Sequence, residues 1–393
     1  MYYNDFKELH LSGLGFGAMR LPLLEDGKTV DAPQVEAMVD YALEHGVNYF
    51  DTAYPYHGGT SETVLAKALH RHPRESWMRA DKYPGHQHFD VFDPTGIFED
   101  QLRKCGVDYF DVYLFHNVCE NSLDDYMNPK WGILDYFVEQ RRLGRIRHLG
   151  MSCHASAANL EKILDGPYGK VIEFCQIQLN YLDWTLQDAG EKVRLLRERG
   201  IPVWVMEPLR GGRLARLQEE DLAIMKDFEP GTSAVELAFR WLQGIDGIGM
   251  ILGGMSSLEQ MKANIAMFEN RRPLGELERR ALGTIAEKMK HGVPCTGCRY
   301  CCDHCPQGLD IPTLMGAWND LSVEFNFTPV MMMEGLPAEK QPGSCLGCGA
   351  CAQVCPQMID IPGTMAKLAE KFAAAPKWTE ICKERNRAAA AGK

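Results

Sequence analysis

The sequence predicts an α/β chain: a (β/α)8 barrel over residues 1–272, followed by a small, mainly helical, cysteine-rich domain over residues 273–393. Three observations predict it. Between residues 11 and 270, short apolar strands alternate with amphipathic helices, eight times over. The cysteines are segregated, with four of the 14 before residue 200 and ten after residue 290. The composition, 45% apolar and 24% charged, is that of a soluble chain able to bury a large core. A doubly wound open sheet is the competing arrangement for the first part, and eight alternations favour closure.

The first strand, residues 14–20, is glycine-rich, and residues 31–45 follow as a helix with Val35, Met38, Val39 and Ala42 on one face. The β-branched and aromatic run 47–50 is the second strand, 61–70 a helix, 77–82 the third strand and 95–105 a helix. Residues 109–115 (Tyr-Phe-Asp-Val-Tyr-Leu-Phe) form the fourth strand, ending at His116. Helices at 134–143, 157–164, 187–199, 233–243 and 258–268 alternate with strands at 146–152, 174–179, 202–206 and 249–252. After Asn270-Arg271-Arg272-Pro273 the character changes: 276–290 is a charged helix and then the cysteines begin, which puts the boundary near residue 272. Residues 309–318, 324–336 and 362–373 have room for helices, and the Ala-, Arg- and Lys-rich tail 383–393 is expected to fray.

A net charge of −11 argues against nucleic acid or an anionic membrane as a partner. No run of 18 uninterrupted apolar residues occurs and residues 1–5 do not open a signal peptide, so a cytoplasmic protein is expected. In that reducing compartment, clustered cysteines read as metal ligands rather than disulfides.

Cys295, Cys298, Cys301 and Cys305 follow the pattern Cys-x2-Cys-x2-Cys-x3-Cys-Pro, and Cys345, Cys348, Cys351 and Cys355 repeat it. The agreement continues as Pro-Gln-x-x-Asp-Ile-Pro over 306–312 and 356–362. This is the bacterial ferredoxin pattern for two [4Fe–4S] clusters, in which the fourth cysteine of each run ligates the other cluster. One cluster would take Cys295, Cys298, Cys301 and Cys355, the other Cys345, Cys348, Cys351 and Cys305. A pair of zinc sites is the competing reading, but zinc is typically held by separated knuckles, and a duplicated three-plus-one set ending in Cys-Pro fits it poorly. Cys302 reads as a free neighbour, and Cys382 lies outside both motifs.

In the barrel, Asp51 ends an apolar run, two tyrosines follow at 54 and 56, and Pro55 and Gly58-Gly59 mark a loop. A carboxylate at the end of a core strand is costly unless something pairs with it. The C-terminal strand ends of a parallel barrel are where active sites are built. A tyrosine-rich surface loop is the bland alternative. Lys82 ending the third strand and His116 ending the fourth supply the partners that Asp51 and Tyr56 lack.

At this point the barrel resembles the aldo-keto reductase family. The likeness rests on Gly13-Leu14-Gly15-Phe16-Gly17, Phe50-Asp51-Thr52-Ala53 with Tyr56 five residues after Asp51, residues 58–62, Lys82 and His116. It continues through Gly150-Met151-Ser152, Gln176 to Tyr181, Glu207-Pro208-Leu209 and Gly254-Met255-Ser256, in family order from 13 to 264. The cysteine-rich extension resembles the iron–sulfur-bearing branch. The resemblance implies carbonyl/alcohol interconversion on a small molecule with NADPH or NADH. Tyr56 would be the general acid/base, Lys82 would lower its pKa, Asp51 would hold Lys82, and His116 would orient the carbonyl. It also implies that Ser152 and Gln176 hold the carboxamide and that Met206 lies under the ring. Gly17, Met19, Pro208, Leu209, Gly211, Gly254, Ser256, Gln260 and Asn264 would follow the rest of the cofactor. Three positions depart from the family: Gly254 stands where many members have Lys, Gln260 where they have Arg, and Cys153 where an Asn is common. These leave the choice between NADPH and NADH open, with Arg210 and Arg213 as nearby positive charge. Met19, Arg20, Tyr54 and Trp184 are candidates for the pocket wall, and His57, His86 and His88 for its rim or the surface.

Clusters move single electrons while a nicotinamide exchanges a hydride, and a flavin normally mediates between them. The clusters are therefore expected to carry electrons to or from the barrel or an external redox partner. An electron-transfer or scaffold subunit whose barrel no longer catalyses is the alternative function.

Overall fold

The computed structural model describes residues 1–87, 89–120, 122–217, 221, 223, 231–290, 292–323 and 327–377. The expectations placed on His88, Cys382, the tail 383–393 and the start of the helix at 324–336 lie outside them. Two strands, β1 (Tyr3–Phe6) and β2 (Leu9–Ser12), form an antiparallel hairpin. Eight parallel strands close a barrel: β3 (Leu14–Gly17), β4 (Tyr49–Asp51), β5 (Met78–Tyr83), β6 (Phe110–Val118), β7 (Ile146–Cys153), β8 (Cys175–Gln178), β9 (Val203–Met206) and β10 (Ile248–Gly254). They follow chain order, with β10 pairing back to β3. The expected strand–helix alternation is present throughout, with most ends within a residue or two.

The helix before β6 begins and ends where the local chemistry says it should. Helix Pro94–Cys105 has Asp93 accepting from the Gly96 N–H, Pro94 in its first turn and Gly106 at φ 64° after its last residue, and it buries Phe98, Leu102 and Cys105.

The hairpin lies outside the expected alternation. Its turn at Lys7 (φ 54°) brings Phe6, Leu9 and Leu11 into one apolar cluster with Tyr49, Val112, Phe174, Trp204 and Met250. Asn4 Nδ2 donates to the Gly249 carbonyl at 2.9 Å and Tyr3 Oη to the Gly46 carbonyl at 2.9 Å, both beside strand starts. The hairpin thus plugs the barrel at the end opposite the strand C-termini.

Contacts divide the chain into residues 1–287 and 288–393, later than the boundary expected near 272. The reason is helix Glu276–Met289, which buries Ala281, Leu282, Ile285 and Ala286. Glu278 meets Arg240 of the barrel at 3.6 Å.

In the second unit the helices are Tyr300–Asp303, Ile311–Val323, Phe327–Glu334, Ala350–Gln353 and Ile361–Ala374, and no strand occurs among its described residues. Leu314, Met315, Val330, Met333, Met365 and Leu368 form its buried centre. The repeat is explained by backbone. In each copy Asp-Ile-Pro starts a helix, with Asp360 accepting from the Gly363 N–H. Gly297 and Gly347, Arg299 and Gly349, and Gly308 and Met358 occupy matching positions, all with positive φ. Both copies therefore fold their cysteine loops the same way.

Candidate active site and cluster cavities

Register brings the expected polar residues to one end of the barrel. Gly17 pairs Asp51, Asp51 pairs Ala80, and Lys82 lies two residues beyond Ala80 on the same face. Lys82 Nζ donates to Asp51 Oδ1 at 2.5 Å and to the Thr52 carbonyl at 2.6 Å, with both side chains almost fully buried. Tyr56 opens a turn, Tyr56–Gly59, reversed by His57 (φ 51°) and Gly58 (φ 62°). Its ring centre lies 5.0 Å from Lys82 Nζ and 5.6 Å, edge-on, from the His116 ring. The β6–β7 register shifts between Phe115 and Val118, and Asn117 there takes φ 53°. The Tyr126 hydroxyl pins this kink by donating to the His116 carbonyl at 2.6 Å. Asp51, Tyr56, Lys82 and His116 are thus brought together.

The electrostatics differ from expectation in one respect. The Tyr56 phenol is held well above its ordinary value, by burial first and then by the carboxylates of Asp51, Glu207 and Asp81, against Arg20. Lys82 was expected to lower it. That ammonium is bound to Asp51 and to the Thr52 carbonyl, and burial is the largest influence on the phenol. Burial, then His86, Lys82 and His154, push His116 well below its usual value, so its ring is neutral near pH 7. At neutral pH the pair offers a protonated phenol and a neutral imidazole. This is a set for donating a proton to a developing alkoxide.

His86 is not a surface residue. It is buried, with its ring 4.6 Å from that of His116. His57 is half-buried and accepts from the Leu21 N–H at 3.2 Å. Tyr54 is turned to Lys104, whose Nζ lies 4.1 Å from its ring centre. Trp184 packs on Trp241 at 5.4 Å and lines a cleft containing none of the four.

Around the mouth, Ser152 Oγ accepts from the Asn117 N–H at 2.8 Å, and Ser152 pairs Gln176 across β7–β8. Gln176 Oε1, His116 Nδ1 and Asp51 Oδ2 are buried with no hydrogen-bond partner among the described residues. Gly17, Gly253 and Gly254 present bare backbone at adjoining strand ends, where a β-carbon on Gly17 would lie 3.2 Å from the Gly253 carbonyl oxygen. Met19, Met206 and Leu209 are half-buried, Pro208 and Asn264 buried. Gly211 N–H donates to Glu207 Oε2 at 2.6 Å. Ser256 Oγ donates to the Arg20 carbonyl, and Gln260 Oε1 accepts from the Ser256 N–H. Arg210 is not free for a phosphate: it is fully buried, with Nη1 2.6 Å from an equally buried Asp183.

Sequence reasoning missed the network behind Lys82. Asp81 Oδ1 accepts from the Lys82 N–H and from Gln101 Nε2, both at 2.8 Å. Lys104 Nζ reaches Glu62 Oε2 at 2.9 Å, and Arg79 Nη2 meets the Glu62 carbonyl and the Cys105 thiol. The signal was Arg79, Asp81 and Lys82 within one buried strand. Burial and Asp81 push Glu62 up to about 8, against Lys104. The unfolded chain has lost that proton above pH 4.5, so the folded state binds more protons from there to about pH 8, and stability falls as pH rises through this window. The melting temperature should drop by several degrees between pH 6 and about 9, and Glu62→Gln should flatten that slope. An unchanged slope in the variant would refute the assignment.

The eight motif cysteines line two cavities. Cys295, Cys298, Cys301 and Cys355 line one, and Cys305, Cys345, Cys348 and Cys351 the other. Each takes three cysteines from one copy and the last from its partner copy. Ile311 and Ile361 line both. Cys302 lines neither.

Comparison with known proteins agrees with this division. Residues 13–279 match the aldo/keto reductase family, and residues 294–359 match the 4Fe-4S dicluster domain. The chain is 25% identical over 291 residues to L-galactose dehydrogenase of Arabidopsis thaliana, covering 68% of this chain and 87% of that one. It is 26% identical over 264 residues to the NADH-specific methylglyoxal reductase of Escherichia coli K12, covering 56% and 78%. Among solved structures, the holo form of an aldo-keto reductase from Bacillus halodurans matches with 27% identity and a TM-score of 0.58, covering 72% of this chain and 96% of that one.

Proposed function

Because this chain belongs to the aldo/keto reductase family and carries a C-terminal 4Fe-4S dicluster domain, we propose that it is an oxidoreductase that reduces a small carbonyl compound to an alcohol with NADPH or NADH. The observation that carries this reading is the meeting of Asp51, Lys82, Tyr56 and His116 at one barrel mouth.

Asp51 anchors Lys82, and the buried pair fixes the floor against which the Tyr56 ring lies. The neutral His116 donates one N–H to the substrate carbonyl oxygen and so orients it. Tyr56 Oη transfers its proton to that oxygen as the C–O double bond becomes single, and the resulting phenolate sits near the Lys82 ammonium. A nicotinamide held at this mouth would supply the hydride that the two-electron reduction needs. The open Gln176 Oε1 and the bare backbone at Gly17, Gly253 and Gly254 fit such a cofactor. Cys295, Cys298, Cys301 and Cys355 would hold one cluster and Cys305, Cys345, Cys348 and Cys351 the other, and these would exchange single electrons with a redox partner.

The test is aerobic-free assay of the reconstituted full chain with NADPH or NADH and a panel of small aldehydes and ketones. Cofactor oxidation that depends on the carbonyl is expected. Absence of turnover with every pairing would refute the reading.

A further inference from the structure

The two cysteine runs share their backbone turns, so each residue of one can be compared with its counterpart in the other. Thr296 and Leu346 hold the same place, directly after the first cysteine of each run. Thr296 is 4% exposed and Leu346 64%. The polar residue is inside and the apolar one outside, the reverse of what transfer from water favours. Loop shape does not explain the inversion, because Gly297 and Gly347, next in line, take φ 68° and 66°. The same trend runs around both cavities. Cys348 is exposed where Cys298 is half-buried, and Cys305 is half-buried where Cys355 is buried. Pro306 is exposed where Pro356 is buried. Cys305, Pro306, Leu346 and Cys348 all line the second cavity, whereas Thr296, Cys298 and Cys355 line the first. The second cavity therefore has the exposed rim. Its run also lacks charge: no Asp, Glu, Lys or Arg occurs from 341 to 359, while the first run carries Arg299 and Asp303. Lys340, just before it, donates to the Gln307 and Gly308 carbonyls at 2.6 and 3.1 Å.

We propose that the redox partner is a one-electron carrier protein with an uncharged docking face, that it seats on Leu346, and that electrons enter and leave at Cys305, Cys345, Cys348 and Cys351. This rests on the cluster reading above and names the face and the partner. The transfer moves one electron and no atoms. The reduced carrier gives up the electron, the cluster held by these four cysteines accepts it, and no bond or proton changes place. Electron transfer falls off steeply with distance, so a carrier is served by the set whose ligand and rim reach solvent. Electron-transfer encounters are small, below about 1,200 Å² in all, so one protruding side chain can carry much of the contact. The partner's face follows from the rim. A charged group pressed against residues 341–359 would lose water and meet no opposite charge, which selects an uncharged, apolar surface. Leu346 is thereby explained: its exposure is a cost in the free chain that docking recovers.

The experiment uses the full, anaerobically reconstituted chain, reduced with dithionite and freed of excess reductant. It is mixed by stopped flow with oxidised rubredoxin, a small one-electron carrier, at high salt, where long-range charge effects are screened. Leu346→Asp is expected to slow rubredoxin bleaching about 5- to 50-fold, the range for spoiling a principal interface contact. Met358→Asp makes the same change at a side chain that is 53% exposed and lines neither cavity. It should stay within about 2-fold of wild type, as peripheral contacts do. Iron content and cluster absorption should be unchanged in both. No slowing in Leu346→Asp, or equal slowing in the two variants, overturns the proposal. A second readout is independent of turnover. A soluble dysprosium chelate should shorten the electron-spin relaxation of the cluster kept in Cys355→Ala more than that of the cluster kept in Cys305→Ala. Equal or reversed shortening overturns the proposal. If the cysteine variants load no cluster, the Leu346 and Met358 pair decides; if Leu346→Asp loads none, the relaxation pair decides. A wild-type chain that takes up zinc and no iron overturns the proposal and the cluster reading together, whereas the other adverse results leave the cluster reading standing.

Discussion

Replacing Tyr56 by phenylalanine is expected to lower kcat/KM for carbonyl reduction by about 100- to 10,000-fold, the usual contribution of a positioned general acid. The ring, its 5.0 Å approach to Lys82 and its edge contact with His116 survive the change, so only the proton donor is removed. The melting temperature and the cluster absorption should stay near wild-type values. Because the phenol is held high and His116 low, reduction by the wild-type protein should be nearly flat from pH 6.5 to about 9. The reverse reaction, which needs the phenolate, should climb with pH across the same range. Turnover undiminished in Tyr56→Phe would remove Tyr56 from the mechanism. Loss of the clusters together with activity would mean that the substitution acted through folding.

The second large effect belongs to Cys355. Though it lies in the second cysteine run, it lines the cavity of Cys295, Cys298 and Cys301. Cys355→Ala should therefore remove the first cluster and leave the second. Double variants read this out by iron content. Cys355→Ala with Cys295→Ala should retain about half the iron, both changes falling on one cluster, whereas Cys355→Ala with Cys345→Ala should lose nearly all of it. Ligation within each run would reverse the two results. Stoichiometric zinc in place of iron would remove the cluster assignment altogether.

These expectations were legible in the sequence to different depths. Asp51 and His116 each end an apolar run and Lys82 ends the third expected strand, so each stands out locally, and the parallel register then has only one place to bring them. The duplicated cysteine spacing is equally local. What could not be read depended on which distant segments meet. The hairpin is two four-residue strands whose Asn4 finds Gly249, 245 positions away. Arg20 and Glu207 are 187 apart, and adjacent only because the barrel closes. Arg210 reads in sequence as nearby positive charge, whereas Asp183, its buried partner, lies in the helix Asp183–Leu186, outside the expected elements. The boundary near 272 followed a real break at Pro273, but the amphipathic helix beyond it folds back to bury its apolar face.

Ile311 and Ile361 stand in the walls of both cysteine cavities. Clusters seated there are neighbours across a single aliphatic layer, a short tunnelling step with little to screen one from the other. An electron on the first makes the second harder to reduce, so the two would show separate midpoint potentials even with identical ligands. A loaded module would then be anticooperative, holding one electron readily and a second reluctantly. A two-electron partner would have to be served one electron at a time, which would make the singly reduced domain the state that waits.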